Sequence, residues 1–74
     1  MQMIEVSADT FALLGRPAAD RLVAVPDEVF AYLCELRQPW ESLANRVLSI
    51  VAFGLLVGPP THHGEALIAA IAAD

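Results

Sequence analysis

The stretch "PDEVFAYLCELRQPWESLANRVLSIVAFGLLVG", Pro26 to Gly58, decides the fold. It uses one device twice: Pro-x-Glu, with Ala three residues after the Glu, at Pro26 and again at Pro39. Proline suits the first position of a helix, because its missing N–H would have no partner there. A glutamate two positions on faces the positive end of the helix dipole. The period is too short for a solenoid unit, so the reading is two helix starts in one domain. The first helix is placed at 26–37, with Val29, Phe30, Leu33 and Leu36 as its apolar stripe. Glu28, Tyr32 and Glu35 form its polar stripe. The second helix is placed at 39–57. Glu41, Ser42, Asn45, Arg46 and Ser49 make its first half polar, whereas no side chain from Ile50 to Val57 is polar, which predicts burial all round, in part by an interface. An isolated subunit is expected to keep a contiguous apolar patch there. Gly58 and Pro59-Pro60 end it.

Downstream, "THHGEALIAAIAAD" predicts a third helix at 62–73, capped by Thr61, with Leu67, Ile68 and Ile71 as its contact stripe. Upstream, "MIEVSAD" alternates as a half-buried strand does: Ile4, Val6 and Ala8 point one way, Glu5, Ser7 and Asp9 the other. "DTFALLG" supports two readings, a continued strand or a short helix capped by Ser7 or Asp9 and ended by Gly15. "GRPAAD" reads as a turn, and "RLVAV", 21–25, as a returning strand. A hairpin alone is marginal and needs a helix to cover it. The expected fold is mostly α: one domain, 1–74, of three helices with a short N-terminal strand or β-hairpin in 1–25.

Composition narrows what such a domain does. The 74 residues are 57% hydrophobic and 18% charged, against about 25% charged in an ordinary chain. Residues 1–46 hold eleven of the charges and residues 47–74 only Glu65 and Asp74. With one cysteine there is no internal disulfide, so the extra support that small domains need points to association. The apolar run from Val47 to Gly58 is shorter than the roughly 20 residues of a spanning helix. The N-terminus lacks the basic and apolar regions of a secretory signal, so the expected location is the cytoplasm. The absence of lysine, with abundant Ala, Arg, Gly and Pro, suits a GC-rich bacterial or phage coding sequence.

The candidate sites are few. His62 and Glu65, three apart, can share a metal ion, but they supply two ligands where a structural zinc site needs four. The favoured reading of His62 and His63 is the first turn of a capped helix, with no cofactor. Cys34 lies mid-helix beside Leu33 and is expected to be buried and inert. Nothing assembles a nucleophile, base and oxyanion donors, so no catalytic residues are assigned and the protein is not expected to be an enzyme. Net charge −5 invites a basic partner, although Asp27, Glu28 and Glu41 are explained locally as first-turn acids. Ser42, Asn45, Arg46 and Ser49 can imitate the reading face of a helix-turn-helix across a connection tighter than usual. Four arginines are the only cations, too few to neutralise phosphate well.

The favoured function is therefore binding. The expected protein is a small acidic interaction module, a stoichiometric inhibitor or accessory protein of bacterial or phage origin, of the anti-CRISPR or antitoxin type. Its partner is itself, as a homodimer, or a larger protein, with no role for a membrane. Trp40, Phe53, Leu56, Tyr32 and Glu35 are the expected contact residues, with Trp40 alternatively a lid on the core. A DNA-binding regulator using Asn45 and Arg46 is the rival reading. Phe53→Asp is expected to split the complex or unfold the chain.

Overall fold

A computed structural model describes residues 1–59 and 61–74. Its elements run β1 (Gln2–Val6), α1 (Ala8–Leu13), β2 (Arg21–Val25), α2 (Asp27–Leu36), α3 (Leu43–Val57) and α4 (His62–Ala73). This is a small, mostly α domain carrying an N-terminal antiparallel hairpin. Ile4 pairs with Val23 and Met3 with Ala24. Ile4, Val6, Val23 and Val25 are buried on one face of the pair. Met3 and Leu22 are exposed on the other, so Leu22 does not join the apolar face. The alternation stops at Val6, because Ala8 already belongs to a helix.

The ambiguous 9–15 stretch is that helix. Ser7 begins it, its Oγ accepting from the Thr10 N–H at 3.3 Å and lying 3.0 Å from the buried Thr10 hydroxyl. Gly15, at φ 71°, ends it. The N–H groups of Gly15 and Arg16 return to the carbonyls of Ala12 and Phe11. That pattern needs a left-handed residue, which glycine adopts without a Cβ clash. Between the two strands α1 delivers Phe11 to the core, fully buried.

The three longer helices cover the buried face of the hairpin, α3 against β1 and α4 against β2, with α2 packed on both. Val29 and Leu33 of α2, Val47, Ile50 and Val51 of α3, and Leu67 and Ile71 of α4 complete the core. Phe30 and Ile68 pack only partly against it, and Leu36 is exposed. Cys34 is exposed too, not buried. Successive helical residues point about 100° apart, and Leu33 takes the inward direction.

Two expected helix starts need correction. Pro26 is the residue before the first turn of α2, with Asp27 and Glu28 inside it. Pro39 starts no helix: it lies in a turn with Trp40, and α3 begins at Leu43. The reason is Ser42, whose Oγ accepts from the Asn45 N–H at 3.1 Å. Serine satisfies a first-turn N–H, whereas proline only lacks one. The α2–α3 connection is therefore residues 37–42, longer than a tight turn. Thr61 caps α4 as expected, accepting from the Gly64 N–H at 3.2 Å. Of the expected terminators of α3, Gly58 closes its last turn at φ 96°, while Pro60 lies outside the described residues.

Within the single subunit the end of α3 is not buried all round, and an apolar patch remains there. Phe53 is 52% exposed, Leu55 51%, Leu56 84% and Val57 68%. The radius of gyration, 11.0 Å, equals the roughly 11 Å of a compact chain this long. The helix end is thus not an arm swung away from the body. There is simply no element left to cover it. One consequence is that Phe53→Asp should leave the subunit folded, since the new charge would sit at the surface.

Candidate interaction surface

Every arginine is already engaged. The Arg46 guanidinium sits on Glu41, with Nε 2.6 Å from Oε1. Asn45 Nδ2 donates to Glu41 Oε2 at 3.3 Å, and the Gln38 N–H donates to Oε1 at 2.9 Å. Arg37 reaches the Glu41 carbonyl at 3.3 Å. Glu41 is thus the staple of the 37–42 connection and not a first-turn acid. The Gln38 N–H, and then Arg46 and Asn45, hold its carboxyl below the usual glutamate range, against the opposing pull of desolvation. Arg16 donates to the Ala72 carbonyl at 2.7 Å, capping the end of α4. Arg21 lies 3.8 Å over the Phe11 ring and 3.3 Å from the Asp74 carboxylate.

This bears directly on the four residues of the helix-turn-helix reading. Ser42 caps α3, Asn45 and Arg46 hold Glu41, and Ser49 Oγ donates to the Asn45 carbonyl at 3.1 Å. All four already have a partner within the chain.

The acids divide differently. Glu41 and Asp74 face arginines, Asp20 accepts from the Ala8 N–H, and Asp27 lies 3.1 Å from the Met1 amino group. Among the described residues, Glu5, Asp9, Glu28, Glu35 and Glu65 have no cationic partner. Arg16 and Arg37 bond only to carbonyls and keep their charge, so the unopposed charge among the described residues is mostly negative.

His62 and His63 pack on each other, ring centroids 4.1 Å apart, and His63 also packs on Tyr32 at 5.3 Å. Glu65 is exposed. Among the described residues, no three or more of His, Cys, Asp and Glu gather closely enough to hold a metal ion. His63 has an aromatic neighbour instead, which joins the start of α4 to α2.

Of the expected contact residues, the fold unites two. Tyr32 and Phe53 line a groove of about 260 Å³ between α2 and α3, with Leu36, Arg46, Ser49 and Ile50. Leu56 lies one turn beyond Phe53 on the same helix. Glu35 follows Tyr32 by three residues on α2. Trp40, in the connection, is 82% exposed and does not lid the core. The groove is below the roughly 300–1,000 Å³ of ordinary small-molecule sites and is of a size to receive a large side chain. A second, wider trough of about 530 Å³ runs between β2 and α4 over Ala66, Ala69, Ala70 and Ala73. Ala24, Pro26 and Met1 form part of its other wall. Sequence reasoning missed it, although alanines at i, i+3, i+4 and i+7 mark one helix face.

No family model, curated protein or solved structure matches this chain. Among the described residues, no single helix is long and apolar enough to cross a membrane.

Proposed function

We propose that this chain works by binding another protein surface, through the end of α3 and the adjoining groove, and not by catalysis. The observation behind this reading is the row Phe53, Leu56 and Val57, at i, i+3 and i+4 and all exposed, beside a groove floored by Ile50. Apolar residues scattered singly on a surface need no explanation, but a contiguous patch beside a pocket is what interfaces present. With only four arginines, two of them held on carboxylates, the chain suits a protein partner over nucleic acid, whose affinity rests on cations free to meet phosphate. A small acidic domain with one such surface suits a cytoplasmic stoichiometric inhibitor or accessory protein. The anti-CRISPR and antitoxin types of bacterial and phage genomes are the class we favour. The occupant of the surface is a second copy or a larger protein.

Light scattering at tens of micromolar and binding of a hydrophobic dye test the reading. A dimer that Leu56→Asp converts to monomer supports it, as does a dye-binding monomer that Leu56→Asp silences. A monomer of 7.9 kDa that binds no dye would sink it.

A further inference from the structure

From the charges around the groove we infer that its occupant is a basic amphipathic helix of a larger protein. The inference rests on the reading that the α2–α3 surface is an interface, and it specifies the partner. Two observations lead to it. The first is shape. Tyr32 and Leu36 lie four apart on α2, and Phe53, Leu56 and Val57 lie at i, i+3 and i+4 on α3. Two such ridges with a groove between them receive the apolar stripe of a third helix. The groove itself takes one large side chain as an anchor.

The second observation is charge. Glu28, Tyr32 and Glu35 share one stripe of α2, spaced four and three residues apart. Both glutamates are exposed and, among the described residues, without a cationic partner. They stand about 10 Å apart, two helical turns. A ligand helix with Lys or Arg two turns apart along one flank of its apolar stripe meets both. Arg46, the one cation lining the groove, is neutralised by Glu41. A second copy of this chain is the poorer occupant. It carries nine acids against four arginines, two of which, Arg21 and Arg46, are already paired with carboxylates, so it brings mostly acids towards these glutamates.

The test uses the whole chain and three synthetic amphipathic peptides of about four helical turns. Each has leucines at i, i+3, i+4 and i+7, with flanks of lysine, glutamine or glutamate. Binding is read by fluorescence anisotropy at low and physiological salt. The lysine peptide should bind saturably, about tenfold tighter than the glutamine peptide at low salt, and the glutamate peptide weakest. The double variant Glu28→Gln, Glu35→Gln should abolish the preference for lysine and flatten the salt dependence while glutamine-peptide binding stays. Leu56→Gln should weaken all three. These three positions are exposed, so the variants keep the fold, as circular dichroism would verify.

Equal binding of the three peptides, weakened by Leu56→Gln, would overturn the basic partner and leave the interface standing. So would a self-association through Leu56 that excludes the lysine peptide, or adsorption to phosphatidylcholine vesicles in preference to it. A chain that binds no peptide, no vesicle, no dye and no second copy removes both the partner and the interface.

Discussion

The two halves of α3 are opposites. In the first, Leu43 to Val51, polar and apolar residues are sorted. Val47, Ile50 and Val51 turn inward, while Asn45, Arg46 and Ser49 are each tied by a hydrogen bond within the chain. In the second, Ala52 to Val57, nothing is polar, yet four large side chains stand in solvent. An absence of charge therefore does not place a segment inside. A helix is buried only where other elements surround it. Here the hairpin, α2 and α4 are used up on the inward face of the first half. The second half makes its close approach where Gly54 meets Ile68 of α4, and Phe53 lines the groove against α2. That asymmetry is the basis for treating the end of α3 as functional surface.

Core variants should show the largest effect. Leu67 is fully buried on α4. Leu67→Ala should cost about 2–5 kcal/mol through lost burial and a cavity. That approaches the whole stability of a small domain, about 5 kcal/mol at the low end. The thermal melt should fall by more than ~10 °C or lose its cooperativity. A melt like the parent's would mean that the inward faces are not the packed half of the comparison.

Gly54 lies in the second half, where it comes closest to α4. A Cβ there would approach Ile68 Cδ1 to 2.7 Å, the flexible tip of an α4 side chain. Alanine should be near neutral, since about 1 kcal/mol of helix propensity offsets a small shift of Ile68. Leucine cannot be absorbed so easily, and Gly54→Leu should cost about 1–3 kcal/mol by forcing α3 and α4 apart. Urea unfolding measures both, and a neutral leucine would deny the close approach.

Glu41 probes the sorted half at a smaller scale. Its carboxyl is held below its ordinary pKa by the Gln38 N–H, Arg46 and Asn45. A group with a depressed folded pKa contributes stability that is present above its unfolded pKa. That contribution is lost as pH falls through the folded pKa. Glu41→Gln should therefore lower the urea midpoint at neutral pH, and the gap from the parent should close in acid, below the ordinary glutamate value. A gap that stays constant down to pH ~3 would show that the charge contributes nothing.

Much of the scaffold was legible in local chemistry. The Thr61 cap, the span 62–73 and the strand at 21–25 all follow from side chains that act on their own backbone or on a period of two. The short helix at 8–13 was one of two readings that sequence left open, because Phe11 and Leu13 suit a strand as well as a helix. The start of α3 was misplaced by a proline that imitates a helix start, while Ser42, three residues on, supplies the actual acceptor. An uncovered patch on the α3 tail was expected, because too few elements remain to cover it, but the exposure of Cys34 and of Trp40 was not legible. It depends on which directions the other elements occupy, and that is a property of the assembled fold. The union of Tyr32 with Phe53 is tertiary in the same way. Each was a candidate contact residue, but only the packing of α2 on α3 makes them walls of one groove.

Leu56→Asp should have the least effect on the fold, and it separates the two halves most cleanly. Leu56 is 84% exposed, so an aspartate there loses little burial and keeps its water. It does place an acid in the last turn of α3, where the helix dipole favours cations, at a cost of a few tenths of a kcal/mol. The net change in stability should stay within about 0.5 kcal/mol. At an interface the same substitution acts differently. A charge pressed against an apolar partner without a counter-ion costs several kcal/mol, enough to abolish a micromolar complex. An unchanged melt with lost association is therefore the expected pair of results. A large loss of stability in a verified monomer would place Leu56 in the core, and the contrast between the halves of α3 would disappear.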